Sequence, residues 1–379
     1  MKKNKFDYII CGGGASGLLL ANELISDPFF INKRILLIEM DKKNINDRTW
    51  CFWEKGKGKL DKIVSKSWDY ACFKDKDFQK NYETKPYTYK LIRGIDFYNN
   101  FRNLNRKQNN LTYLNAKISN INKLKNIVIT NKGNFSAEYI FTSILDIKIL
   151  ENQKKYPLLK QHFVGQLVEV KNDIFNPDLV TFMDFDIPQK KSTRFMYILP
   201  FSKTKALVEY TLFSKNELEK REYINSIKSY LNNLNSGDFK IIEQEKGIIP
   251  MTTYKFESGN TKKLLNIGTA GGWSKASTGY TFLNTINKVE SLVSFLKTGK
   301  PVNQFEKRSR FWFYDLLFLD VLSKHNDKGH SLFKRMFEKN KLETIFKFLD
   351  NKTNIIEELR LIMTFKKKWF IEALINRIF

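Results

Sequence analysis

Residues Phe6–Glu39 read FDYIICGGGASGLLLANELISDPFFINKRILLIE, and this stretch decides the fold. A short apolar run, Tyr8–Cys11, meets Gly12-Gly13-Gly14-Ala15-Ser16-Gly17; helix-forming residues follow to Ile25, and Asp27-Pro28 breaks the pattern. A second apolar run, Ile35–Ile38, ends in the acid Glu39. Strand, glycine turn, helix, strand and carboxylate in that order make a dinucleotide-binding unit, so the expected class is α/β with a Rossmann-like sheet. Gly12 allows the sharp turn out of the strand, Gly14 clears the approach of a pyrophosphate, and Gly17 lets the helix pack close to the sheet. The helix N-terminus offers free N–H groups and partial positive charge to the phosphates. Glu39, about 20 residues beyond the last glycine, is placed for a ribose hydroxyl. A purely structural glycine turn would not need the second strand and its acid. The motif's position at the start of the sequence favours FAD over NAD.

The 379 residues suffice for a large core in two or three structural units. A net charge of +25 comes from lysines spread along the whole length beside many asparagines. No interleaved aromatic and basic recognition motif accompanies it, so a nucleic-acid partner is not expected. Cys11, Cys51 and Cys72 show no CxxC pairing, which points to a reducing compartment without disulfides. Lys2–Lys5 leads into the first strand without an apolar h-region, and no apolar run reaches the roughly 20 residues of a spanning helix. The expected location is cytoplasmic, in solution or resting on a membrane face. His325 and His330 have no carboxylate–His pattern around them and read as surface residues; no metal site, nucleophile elbow or GK[ST] loop is present.

Along the chain, Asp47–Glu54 (DRTWCFWE) sets a planar donor, Arg48, before a strand-like aromatic group. The lysine-rich segment to Ser67 reads as a loop, Tyr87–Ile92 as a strand, and Gly94–Tyr98 as the start of a helix to about Leu104. Leu111–Asn115, Ile118–Asn122 and Asn126–Thr130 read as a small antiparallel meander, with Tyr139–Ile144 returning to the parallel sheet. Strands at Val164–Val170, Leu179–Phe185, Arg194–Leu199 and Lys205–Phe213, with a helix at Lys215–Leu231, make a second sheet over about 163–249. The layout expected is a discontinuous FAD-binding domain (1–50, 88–150 and 256–300), an antiparallel substrate-binding sheet domain (51–87 and 151–255) and a helical C-terminal region (301–379).

Within Ala206–Phe213, period-two geometry puts Leu207, Glu209, Thr211 and Phe213 on one face. A carboxyl between Leu and Phe holds its proton near neutrality if that face lines an apolar cavity; on a solvent-facing strand it is an ordinary surface acid. A second glycine-rich segment, Gly268–Phe282, follows the strand Leu264–Ile267 and leads into a helix to about Leu296. Its backbone amides suit an anion or the ribityl and isoalloxazine parts of a flavin. From Phe305 onward apolar bands alternate with lysines such as Lys334, Lys339 and Lys366–Lys368, a pattern that fits either a lipid interface or ordinary helical packing.

Taken together the chain resembles the lycopene cyclase family of carotenoid biosynthesis. The resemblance rests on DRTWCFW at 47–53, GIDFY at 94–98, MDF at 183–185, FMYILPFS at 195–202, LVEYT at 207–211, IPM at 249–251 and the loop 268–282, all in family order. It implies a non-redox isomerisation: protonation of a terminal double bond of lycopene, attack by a neighbouring double bond on the carbocation, and proton loss to leave a β-ionone ring. Glu209 falls on the first acid of the family's catalytic strand motif and is expected as the proton donor or cation-stabilising carboxylate; the second acid is replaced by Tyr210. Phe195, Tyr210 and Trp273 are expected to help by cation–π contact. Arg48, Gly268, Thr269, Gly271 and Gly272 join Gly12, Gly14, Gly17 and Glu39 as flavin contacts. Lys275 stands where the family's loop usually has proline. The resemblance also implies FAD acting in its reduced form, NAD(P)H as reductant, lycopene and related carotenoids as substrates, and a peripheral place on the inner face of the membrane. A flavin monooxygenase or polyprenyl reductase shares the N-terminal unit, but hydroxylases of that group usually carry Gly-Asp where this chain has Gly268-Thr269. A non-catalytic carotenoid or membrane-surface binder is the other alternative.

Overall fold

The computed structural model describes residues 4–105 and 109–378. The strands Lys5–Cys11 and Ile35–Glu39 are almost wholly buried, as apolar runs covered on both faces must be. They pair in parallel, and Gly133–Thr142 and Leu264–Asn266 extend the parallel sheet on one side. Leu111–Asn115 extends it on the other, pairing in parallel with Ile35–Glu39. This corrects the expected meander: Ile118–Asn122 and Ile127–Thr130 do form one, but their third strand is Gly133–Thr142. Alternation alone does not tell a parallel edge strand from a hairpin strand, because both expose one face. The helices Ala15–Ser26 and Phe282–Leu296 pack on each other against this sheet, burying Leu20, Leu24, Val289 and Leu292.

The second sheet has seven strands in the order Phe239–Thr252, Leu158–Val170, Lys205–Ser214, Thr193–Pro200, Leu179–Asp184, Tyr70–Asp75 and Phe78–Glu83. It is antiparallel except where Leu179–Asp184 meets Tyr70–Asp75. The helix Lys220–Asn233 covers one face through Tyr223, Ile227, Tyr230 and Leu231. Over the other face lie the C-terminal helices and a three-stranded sheet of Thr49–Lys55, Tyr87–Arg93 and Lys66–Trp68. Lys66–Trp68 ends a segment expected to be loop; it pairs with Tyr89–Leu91, and buried Trp68 donates its indole N–H to the Pro200 carbonyl. The C-terminal helices are short and amphipathic, and Leu319, Phe333 and Phe346 pack with Phe182, Phe195 and Phe213 of the sheet in one apolar cluster. Burial of rings on this scale contributes about 1.5–3 kcal/mol each before entropy is counted.

Candidate active site

The first glycine turn is closed tightly on one side and open on the other. Gly12 has φ of +104°, and a Cβ there would lie 2.2 Å from Ser143 Oγ; a Cβ on Gly17 would lie 1.9 Å from the Gly12 carbonyl. Gly14, by contrast, has open space around its Cβ position, and the helix that follows has neither a side-chain cap nor an acid in its first turn. Its N–H groups are thus left for a ligand. Glu39 reaches back beneath the turn, accepting from Gly13 N at 2.6 Å and Asp41 N at 2.8 Å. The second loop closes against the first: Gly268, at φ +60°, passes so near Ser16 that a Cβ would sit 2.5 Å from its Oγ. Gly271 and left-handed Gly272 turn the chain, and Thr269 Oγ1 lies 3.4 Å from Ser274 Oγ. Open space at Gly14, an uncapped helix end, an acid at the second strand's tip and a second glycine loop beside the first fit a flavin dinucleotide. Arg48 is half-exposed and pairs with Asp47 at 3.3 Å. Gly14 itself has φ of −78°, open to any side chain. Gly14→Val is therefore expected to leave folding intact but to lower flavin retention at least tenfold, checked by the flavin absorbance of purified protein.

Glu209 lies on the inner face of the second sheet, with Leu207, Thr211 and Phe213 on the same face as expected. It is 7% exposed and accepts from Thr211 Oγ1 at 2.5 Å. Burial, reinforced by the nearby Glu245 carboxyl and opposed by Thr211, pushes its pKa up from 4.5 to about 8. Its cross-strand partner is Tyr197, whose phenol meets Tyr89 at 2.5 Å. Cys51 from the Thr49–Lys55 strand and Tyr280 from the second glycine loop complete the cluster, and burial holds all three phenols and the thiol well above their ordinary values.

Of the aromatic side chains expected here, Phe195 shares Glu209's face, packed against Phe185 and Phe213. Tyr210 does not: it points through the opposite face, where Arg194 donates to its hydroxyl at 3.2 Å and Tyr223 packs on its ring. Trp273 is fully buried in the core of the nucleotide-binding sheet and donates its indole N–H to Glu306. The histidines read as surface residues are half-buried: His330 meets Asp75 at 3.2 Å, and His325 stacks on Trp369 at 4.6 Å. Sequence reading did not find Glu245, Tyr89, Tyr197, Tyr280 or Cys51. The period-two acids Glu243 and Glu245 were a usable signal, on a strand that went unread.

An apolar cavity of about 340 Å³ lies among the C-terminal helices, lined by Phe318, Phe333, Phe348, Leu349, Phe365 and Phe370, with Ser277 and Thr278 of the second glycine loop on its wall. Glu209 does not line it, but Tyr280, two residues beyond Thr278, lies beside Tyr89. Among the described residues no group of side chains suits a metal ion.

The fold is that of flavoenzymes. The structure is similar to a geranylgeranyl bacteriochlorophyll reductase-like protein from Thermoplasma acidophilum (TM-score 0.57, 12% identity, 98% of this chain and 96% of that one). It is similar to a tryptophan halogenase from Shewanella frigidimarina (TM-score 0.59, 11% identity, 99% and 94%). A further match is a variant of the halogenase PltM solved in complex with FAD (TM-score 0.56, 12% identity, 90% and 79%). A search of curated protein sequences finds no match. The family model described as lycopene cyclase protein matches residues 7–374, and the chain belongs to that family.

Proposed function

We propose that this protein is a flavin-dependent lycopene β-cyclase, converting linear ends of lycopene to β-ionone rings without net oxidation. The observation that carries this reading is Glu209, a carboxyl buried on the inner face of the sheet among aromatic rings, where burial pushes its pKa up to about 8. Its O–H proton adds to the terminal double bond of the polyene. The neighbouring double bond attacks the resulting tertiary cation to close the ring, and a ring proton then leaves. The carboxylate left on Glu209 takes up that proton as base, so atoms and charge balance over the cycle. When bound, reduced FAD supplies negative charge that stabilises the cation, with NAD(P)H as the source of electrons. Gly12, Gly14, Gly17, Glu39, Gly268, Thr269, Gly271 and Gly272 would hold the cofactor, with Arg48 as a further contact. Phe195 and the phenols of Tyr89 and Tyr197 offer π faces or oxygen lone pairs to the cation and exclude water that would quench it.

The 340 Å³ cavity is assigned to the polyene tail, with the reacting end passing the 278–280 loop toward Glu209. Met363 and Ile371 both line the cavity and stand exposed at 60% and 54%. Ile356, Leu359, Ile375 and Ile378 continue this exposed apolar strip, and Lys366–Lys368 interrupt it. Among the described residues no helix is long and apolar enough to cross a membrane, so the proposal is a protein lying on the bilayer and drawing substrate from it. Co-sedimentation with vesicles containing anionic lipid is expected, and replacing Met363 and Ile371 with Glu is expected to cut it several-fold; equal sedimentation would contradict this arrangement.

The function is tested with purified protein, FAD, a reductant and lycopene under anaerobic conditions. The expected product has rings and the mass of lycopene. A hydrogenated or oxygenated product would replace this reading with the reductase or monooxygenase one.

A further inference from the structure

The inner face of the second sheet carries another acid, half-buried on the edge strand. Glu245, on Phe239–Thr252, and Glu209, on Lys205–Ser214, both pair with the same residue of the strand between them, Gly165. Cross-strand partners share a face, so the row across the sheet reads Glu245, Gly165, Glu209, Tyr197. Any side chain at position 165 would stand between the acids: a Cβ there would lie 3.2 Å from Glu245 Cγ and 3.3 Å from Leu207 Cδ1. With glycine in the middle, no side chain of the central strand stands between the two acids, which sit two strand spacings of about 4.8 Å apart. The three-stranded sheet grips Glu245 from above, through Thr49 Oγ1 at 2.9 Å. Next along its strand, Glu243 is bound by Arg93 at 2.5 Å and by Asn46 at 2.7 Å.

We propose that Glu245 is a positioning residue for Glu209: facing it over bare Gly165 and held by Thr49, its negative charge keeps the proton on Glu209 until the polyene arrives. This deepens the reading of Glu209 as proton donor and rests on it. Tyr210 points through the far face, so the second carboxyl on Glu209's face is that of Glu245, from another strand.

The neighbours leave Glu245 as the group that matters between pH 5 and 9. Cys51 from Thr49–Lys55, Tyr89 from Tyr87–Arg93, Tyr197 from Thr193–Pro200 and Tyr280 from the glycine loop are all held well above their usual pKa by burial, so they stay neutral. Facing Glu245 are the Arg48 guanidinium and the acids Asp47 and Glu243; burial lifts Glu245 to about 7, below Glu209, with Thr49 and Arg48 favouring its charged form. The Thr49 hydroxyl that donates to Glu245 and the Arg48 guanidinium beside it favour the negative charge of the pair on Glu245.

The test reads Glu209 directly in flavin-loaded protein. The infrared band of its protonated carboxyl, identified by its loss in Glu209→Gln, is followed against pH in the wild type and in isosteric Glu245→Gln. The band is expected to fade near pH 8 in the wild type and about one pH unit lower in Glu245→Gln, because a facing negative charge has gone. Thr49→Val, which keeps both carboxyls but removes the donor that favours charge on Glu245, is expected to shift it the same way by less. The alkaline limb of the ring-formation rate should move with the band. A band that fades at an unchanged pH in Glu245→Gln overturns the proposal, as does a uniform loss of rate with the limb unmoved. Because the band is read without substrate, a shifted band with no ring formation in the wild type would uphold the pairing and fail the functional reading instead.

Discussion

Glu209→Gln is expected to lower ring formation by about 10²–10⁴-fold while the flavin stays bound. The amide keeps the shape of the side chain and can still accept from Thr211 Oγ1, but it has no acidic proton to give. A pH profile separates this loss from misfolding. Folding raises the Glu209 pKa from 4.5 to about 8, so the native state holds this proton more tightly than the unfolded chain does. The stability gained is fully present below pH 4.5 and is lost as pH rises toward 8. Gln carries no such dependence, so the variant is expected to match or exceed the wild type in denaturant resistance at pH 8–9. Wild-type activity, needing the protonated carboxyl, is expected to fall above about pH 8. An inactive variant that is also unstable at that pH would point to a structural role.

Lys275→Met is expected to destabilise the protein by about 3–5 kcal/mol, because it leaves a charge buried without its partner. Lys275 Nζ lies 3.1 Å from Asp315 Oδ1, with the two side chains 4% and 10% exposed, and 2.8 Å from Asn351 Oδ1. The rings of Phe311 and Phe348 lie 5.4 and 5.2 Å from the ammonium. The family's proline at this position would lack this cation and also the backbone N–H that Lys275 donates to Tyr280 at 2.8 Å. The lysine thus fastens the second glycine loop to the C-terminal helices that wall the cavity. The double variant Lys275→Met/Asp315→Leu is expected to recover most of the lost stability, since no lone charge remains. Denaturant unfolding of the three proteins at neutral pH checks both statements; a single variant as stable as the wild type would show that the pair is not holding the loop.

How far the sequence reached depended on whether the deciding contacts were local. The first glycine turn, its helix and Glu39 lie within one continuous stretch, and the close contacts of Gly12 and Gly17 follow the order of that motif. The face carrying Glu209 was also legible, because period two fixes it. The same rule already placed Tyr210 on the other face, so its assignment to the substrate ran against the geometry of its own strand. Trp273 is different: its place depends on Glu306, 33 residues away, which no local pattern announces. Glu245 escaped notice because Phe239–Thr252 mixes acids, lysine and isoleucine along a half-exposed strand, and its apolar cover comes from the distant Leu158–Val170 and three-stranded sheet. The pairing of Leu111–Asn115 is hidden for a related reason, its partner Ile35–Glu39 lying 76 residues earlier.

The most direct test is anaerobic turnover of lycopene in deuterated water, with the product analysed by mass spectrometry. If a solvent-exchanged carboxyl of Glu209 starts the reaction, each ring formed should carry one deuterium, and Glu209→Gln should form almost no labelled rings. Unlabelled rings in the first turnover of protein equilibrated in deuterated water, or labelled rings formed by Glu209→Gln at the wild-type rate, would contradict it.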